Sequence, residues 1–151
     1  MKRIASFSVD HDKIGIGMYI SRIDGDITSF DLRTRVPNAG DYMDNVTMHS
    51  VEHMLATFLR NGEIGANVIY FGPMGCRTGF YLLTRDLEPL TVLEAVKTAL
   101  AATVAHEGNV FGATRKECGN YLELDINAAK KECAAYLAVL ENYKGDYTYE
   151  Q

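Results

Sequence analysis

The segment His49-Ser50-Val51-Glu52-His53 carries the clearest chemistry in the 151-residue chain. On a helix, residues four apart project from one face. His49 and His53 therefore stand at the spacing at which two imidazoles grip one metal ion. Glu52 is offset from each by no more than about 100° around the helix. It lies beside such an ion, placed to move protons on whatever the ion binds. The order H-x-x-E-H is the reverse of the H-E-x-x-H zinc motif.

Two cysteines sit in glycine-flanked, non-helical settings. Cys76 lies in Pro73-Met74-Gly75-Cys76-Arg77-Thr78-Gly79, and Cys118 in Glu117-Cys118-Gly119-Asn120. Borderline-soft ions such as Zn²⁺ or Fe²⁺ accept mixed histidine and cysteine ligands, so Cys118 reads as a third ligand. Cys76 reads as a reactive thiol, with Arg77 beside it to stabilise the thiolate. Either cysteine is otherwise a small apolar residue in a turn. Cys133 falls on an apolar helical stripe and reads as core.

These residues need elements to hold them. Alternating apolar positions at 18, 20 and at 30, 32 flank Asp24-Gly25 and predict a hairpin. Met48, Val51, Leu55, Phe58 and Leu59 recur at helical spacing and predict a helix over about 45–60, with Gly62 as a left-handed cap. Short apolar runs at 67–71 and 80–84 read as strands joined by the Gly72–Cys76 turn. Thr91 and Glu94 form a capping-box pattern that places a helix start at Thr91 and its end near Val104. Thr114-Arg115-Lys116-Glu117 repeats the pattern with room only for a short turn. A third helix is expected over about 127–143, with Ala129, Cys133, Tyr136, Leu137 and Leu140 on its apolar face. The order implies an α+β fold: a single domain over 1–151, an antiparallel β-sheet with helices packed on one side.

Composition excludes several classes. Hydrophobic residues make up 47% and charged residues 23%, against the pattern of a disordered chain. Net charge is −5 with no Lys/Arg run, so nucleic acid is an unsuitable partner. No apolar stretch approaches the ~18–20 residues that span a bilayer. No apolar run of a secretory signal follows Lys2-Arg3. Three cysteines in a chain of this size point to reduced thiols and a cytoplasmic location.

Taken together, the motifs resemble the S-ribosylhomocysteine lyase (LuxS) family. The matching segments are Ser6–His11, Phe30–Arg33 with Pro37-Asn38, His49–His53, Pro73–Tyr81 and Cys118-Gly119, in the family's order from Ser6 to about Ala129. The resemblance implies His49, His53 and Cys118 as metal ligands, with Glu52 and Cys76 as general acid/base residues. It implies one divalent metal per subunit, ferrous iron natively, with zinc or cobalt able to replace it. It implies S-ribosylhomocysteine as substrate. It also implies a homodimer with active sites at the interface, where Ser6, His11 and Arg33 reach across as substrate-binding residues, so that Arg33 and Cys76 of one site come from different chains. The products would be homocysteine and dihydroxypentanedione, the precursor of autoinducer-2, which places the enzyme in signalling and in homocysteine recycling. One departure is clear. Many family members carry I-D-I-S where this chain has Ile69-Tyr70-Phe71-Gly72. Two rival readings remain from the residues themselves: a metallopeptidase of the H-x-x-E-H type, and a non-catalytic domain whose structural zinc site is closed by His49, His53, Cys76 and Cys118.

Overall fold

A computed structural model describes residues 1–149. The two alternating stretches pair as expected. Strand β1 (Gly17–Asp24) turns through Gly25-Asp26 into β2 (Ile27–Arg33). Helix α1 (Asn45–Asn61) follows, then β3 (Val68–Pro73), β4 (Gly79–Arg85), α2 (Pro89–Ala105) and α3 (Ile126–Glu141). The four strands form one antiparallel sheet in the order β1-β2-β4-β3. Short 3₁₀ turns cover Ala5–Phe7, Gly65–Asn67 and Tyr121–Glu123.

Alternation decides which residues face the helices. Met18, Phe30, Leu32, Phe71, Phe80 and Leu82 form the inner face and are buried with Val51, Met54, Leu55 and Leu59 of α1. Val92, Val96 and Leu100 of α2 and Ala129, Cys133, Tyr136 and Leu140 of α3 complete that core. Truncating a side chain such as Leu55 to alanine there costs about 2–5 kcal/mol. The outer face carries the row Tyr19, Asp31 and Tyr81, which stand opposite one another on β1, β2 and β4. Asp31 and Arg33, two residues apart, share this outer face and are nonetheless buried.

Three boundaries differ from expectation. Helix α2 starts at Pro89 rather than Thr91, because proline needs no N–H partner in the first turn and its fixed φ suits that position. Gly62 is not a left-handed cap: its φ of −90° and ψ of −169° are extended. Helix α3 stops at Glu141 instead of 143, because Tyr143 leaves the helix to donate its hydroxyl to the Met18 carbonyl at 2.7 Å. Cys133 is core, as read. Burial pushes its thiol up to about 12, so it stays protonated and inert.

Candidate active site

Helix α1 delivers its two histidines as the spacing requires. Their rings meet edge to face with centroids 4.7 Å apart. Cys118 closes the group: the ligand atoms of His49, His53 and Cys118 all lie within 4.8 Å of one another. Cys118 Sγ is 3.4 Å from His49 Nε2. The thiol arrives on a short turn set by Thr114, whose carbonyl accepts from the backbone N–H of both Glu117 and Cys118 at 3.1 Å. A second tie holds the returning chain to α1. The backbone N–H of Asp125 donates to the buried Ser50 Oγ at 2.8 Å.

The outer partners of the imidazoles fix their orientation. His53 Nδ1 donates to the Phe111 carbonyl at 2.8 Å, and a carbonyl can only accept. His49 Nδ1 donates to Glu123 Oε2 at 3.1 Å. In the neutral form both rings therefore carry their proton on Nδ1 and leave Nε2 free to ligate, and for His49 that nitrogen faces Cys118. Glu123 is itself held by Asn120 Nδ2 at 2.8 Å, and the Asn120 backbone N–H approaches Cys118 Sγ at 3.4 Å. Gly112 is needed beside this group. Its φ is +68°, and a Cβ there would stand 3.2 Å from His53 Nδ1.

The donor set fits a divalent, borderline-soft ion. Two imidazole nitrogens and a thiolate suit zinc or ferrous iron, and three protein ligands leave one position for substrate. Glu52 is half-buried on the same helix and makes no hydrogen bond or ion pair among the described residues. Its carboxylate is therefore available for proton transfer.

Cys76 belongs to a different cluster. It is exposed in the turn between β3 and β4, with Sγ 3.0 Å from Thr78 Oγ1 and 3.9 Å from Arg33 Nη1. Arg33 also donates from Nη1 to Thr78 Oγ1 at 2.7 Å, from Nε to Asp31 Oδ1 at 3.1 Å and from Nη2 to Asp31 Oδ2 at 2.5 Å. Burial works against the Arg33 charge, yet the Asp31 hydrogen bonds and charge outweigh it and raise its pKa. The backbone of Arg33 sits directly against Gly79, where a Cβ would meet the Leu32 carbonyl at 2.7 Å.

Several expectations change here. The cation facing Cys76 is Arg33, not Arg77, whose guanidinium lies over the Tyr42 ring at 5.9 Å. Arg33 and Cys76 are neighbours within one chain, so the expectation that they meet from different chains is not met. The closed four-ligand reading fails as well. Cys76 is not in the group with His49, His53 and Cys118, because it is held by Thr78 and Arg33 instead. Ser6 lies on the Ala5–Phe7 turn and lines an outer-face cleft of about 490 Å³ with Ser21, Ser29, Tyr70 and Tyr81. His11 bonds through Nδ1 to the Val9 carbonyl at 2.9 Å and has no hydrogen bond to either cluster among the described residues.

The departure at 69–72 has a structural logic. A Cβ built on Gly72 would stand 2.0 Å from the Tyr70 hydroxyl. Tyr70 thus fills the space that a side chain at 72 would occupy, and the two changes accommodate each other. Sequence reasoning missed Glu123, Asn120, Gly112 and Asp31. Only Asp31 carried a signal: it precedes Arg33 by two on a strand, so the pair had to share a face.

Fold and donors together define a class: a small α+β domain with a His₂Cys group that could hold a metal ion. The sequence pattern of the family described as S-Ribosylhomocysteinase (LuxS) matches residues 4–146. A relative from Borreliella afzelii, named S-ribosylhomocysteine lyase, is 41% identical over 95% of this chain and 96% of its own. Relatives of that name from Finegoldia magna and Phocaeicola vulgatus are each 42% identical, covering 95% and 99% of this chain and 95% and 97% of their own. The chain belongs to the S-ribosylhomocysteinase (LuxS) family. Membership replaces the metallopeptidase reading.

Proposed function

We propose that the chain is a metal-dependent carbon–sulfur lyase that cleaves S-ribosylhomocysteine to homocysteine and dihydroxypentanedione. The observation that carries this reading is the donor group itself: His49, His53 and Cys118 converge, and both imidazoles are tethered through Nδ1. His49, His53 and Cys118 would hold a divalent ion, ferrous iron or else zinc or cobalt, which would supply Lewis-acid chemistry at the substrate. Cys76 and Glu52 do the proton work. Moving a carbonyl along a sugar chain and then expelling a thiolate by β-elimination requires protons to leave and return at different carbons. Two bases of different chemistry and position serve that sequence. Arg33 Nη1 stands 3.9 Å from Cys76 Sγ and sets a cation beside that thiol. Incubating metal-loaded protein with S-ribosylhomocysteine and measuring free thiol tests the reading directly. No homocysteine release from fully metallated, folded protein overturns it.

The site is shared between two copies of the chain. Supporting this, Ser6, Arg33 and Asp31 lie on the outer sheet face, whereas His49 and His53 lie in the helical layer. Exposed apolar side chains also gather around that face: Ile4, Phe7 and Tyr70 are each more than half exposed. Cys76 travels with Arg33, so a mixture of Cys76→Ala and Cys118→Ala chains should form one intact site per mixed dimer. Activity then recovers to roughly a quarter of wild type, since random exchange makes half the dimers mixed. No recovery, with exchange confirmed by mass spectrometry, removes the shared arrangement. No helix among the described residues is long and apolar enough to cross a membrane. Three unpaired thiols suit a cytoplasmic setting.

A further inference from the structure

The segment after α3 folds back along the sheet. Tyr143 bonds the Met18 carbonyl, and the Ile20 backbone N–H donates to the Tyr147 carbonyl at 2.6 Å. Thr148 then turns the chain by bonding Asp146 Oδ1 through N–H at 3.1 Å and through its hydroxyl at 2.6 Å. Tyr149 lands on the outer face. Its ring stacks on Tyr19 with centroids 5.0 Å apart and planes 19° from parallel. Its hydroxyl donates to Asp31 Oδ2 at 2.8 Å.

We propose that Tyr149 is a positioning residue for Cys76, acting through Asp31 and Arg33. The hydrogen bonds form one continuous path. Tyr149 donates to Asp31, Asp31 grips Arg33 through both oxygens, and Arg33 presents Nη1 to Thr78 and Cys76. Asp31 is fully buried, so its carboxylate depends on protein donors. Tyr149 satisfies a lone pair of Oδ2 that Arg33 does not and holds the carboxylate in the plane that suits a two-pronged grip. It also withdraws charge from Asp31, which leaves more of the Arg33 cation to act on the thiol. Without that hydroxyl, Asp31 neutralises Arg33 more completely or admits water and loosens it. Either change disfavours the thiolate. The groups facing Cys76 are Arg33 from β2, Thr78 in the turn and Tyr81 from β4; Arg77 in the same turn points to Tyr42. Burial first, and then the charge of Asp31, raise the pKa of Tyr149. It remains a donor across the working pH range.

Tyr149→Phe keeps the ring stack and deletes only the donor. The test is the pH profile of Cys76 alkylation by iodoacetamide in the intact protein, with peptide mapping to separate Cys76 from Cys118. The midpoint should move to higher pH, and the rate below the midpoint should fall about fivefold, the weight of one hydrogen bond. With S-ribosylhomocysteine, kcat should fall by a similar factor while KM and metal content hold. This second arm rests on the proposed lyase reaction and the first does not, so the two can fail separately. Asp31→Asn supplies the control: on that background Tyr149→Phe should cause no further shift. An alkylation profile identical to wild type, or a shift that simply adds to that of Asp31→Asn, overturns the proposal.

Discussion

The His49–His53–Cys118 group and the Cys76–Arg33–Asp31 group are built by different means. The first is assembled across long stretches of chain. Cys118 is 69 residues from His49, and the tethers at Glu123 and Phe111 are 74 and 58 residues from their histidines. The second joins two close pairs, Asp31–Arg33 on β2 and Cys76–Thr78 in the turn before β4, which the pairing of β2 with β4 brings together from 43 residues apart. Their burial differs too. The side chains of His49 and Glu123 remain 18% and 25% exposed, whereas Arg33 and Asp31 are 3% and 1% exposed. The difference follows from what each must do. A metal site gains its closing energy from the ion, so its loops need only bring donors near one point. A thiol has no such help, and the cation beside Cys76 is packed in place by Asp31.

Removing one ligand should break this contrast most sharply. His49→Ala, His53→Ala or Cys118→Ala should each lose bound metal and with it measurable turnover, yet leave Cys76 alkylation at its wild-type rate. Elemental analysis and peptide mapping on the same samples check both halves. Full metal occupancy in Cys118→Ala would remove that residue from the ligand set.

Cys76→Ala and Glu52→Gln invert the pattern. Metal content should stay at wild-type level while kcat drops roughly 10²–10⁴-fold, the usual weight of a positioned proton shuttle. Near-normal turnover in either variant would sink the role assigned to it.

Glu123→Ala probes how far the metal group relies on its tether. Affinity for the metal should weaken about 10–100-fold, read by competition with a chelator, with helical content unchanged. An unaltered affinity would mean that His49 is oriented by α1 alone.

The smallest effect concerns the helix that serves both groups. Asp44 caps α1 by accepting from the Thr47 backbone N–H at 2.7 Å, one residue after Met43 bonds the Arg77 carbonyl in the thiol turn. Asp44→Ala should cost about 1 kcal/mol in urea unfolding. The Thr47 hydrogen bonds hold the Asp44 carboxyl below its ordinary pKa. Its contribution is thus complete above the unfolded-state pKa and is lost as pH falls through the lower folded-state value. The difference between Asp44→Ala and wild type should accordingly shrink in acid; a constant gap across that range would contradict the cap's ionic character.

The sequence by itself determined whatever depends on local periodicity. Helical spacing put His49, Glu52 and His53 on one side of α1, and strand alternation around Asp24-Gly25 gave the hairpin and its inner face. Cys133 fell on the core stripe of α3 for the same reason. These readings need only the 3.6- and 2-residue repeats of the backbone, which are fixed before any tertiary contact forms. Cys118 was read as the third ligand from its setting, but its approach to the histidines, the choice of Arg33 over Arg77 beside Cys76, and the arrival of Glu123 and Tyr149 were decided only by the tertiary structure. Each depends on how loops and a chain end close over distances that carry no repeat. Ser50 ties the 106–125 segment to α1, Gly79 seats β4 against Arg33, and the Tyr147 backbone pairs with β1. Such closures are selected by the packing of the whole domain, and a single stretch of sequence holds no local preference that could specify them.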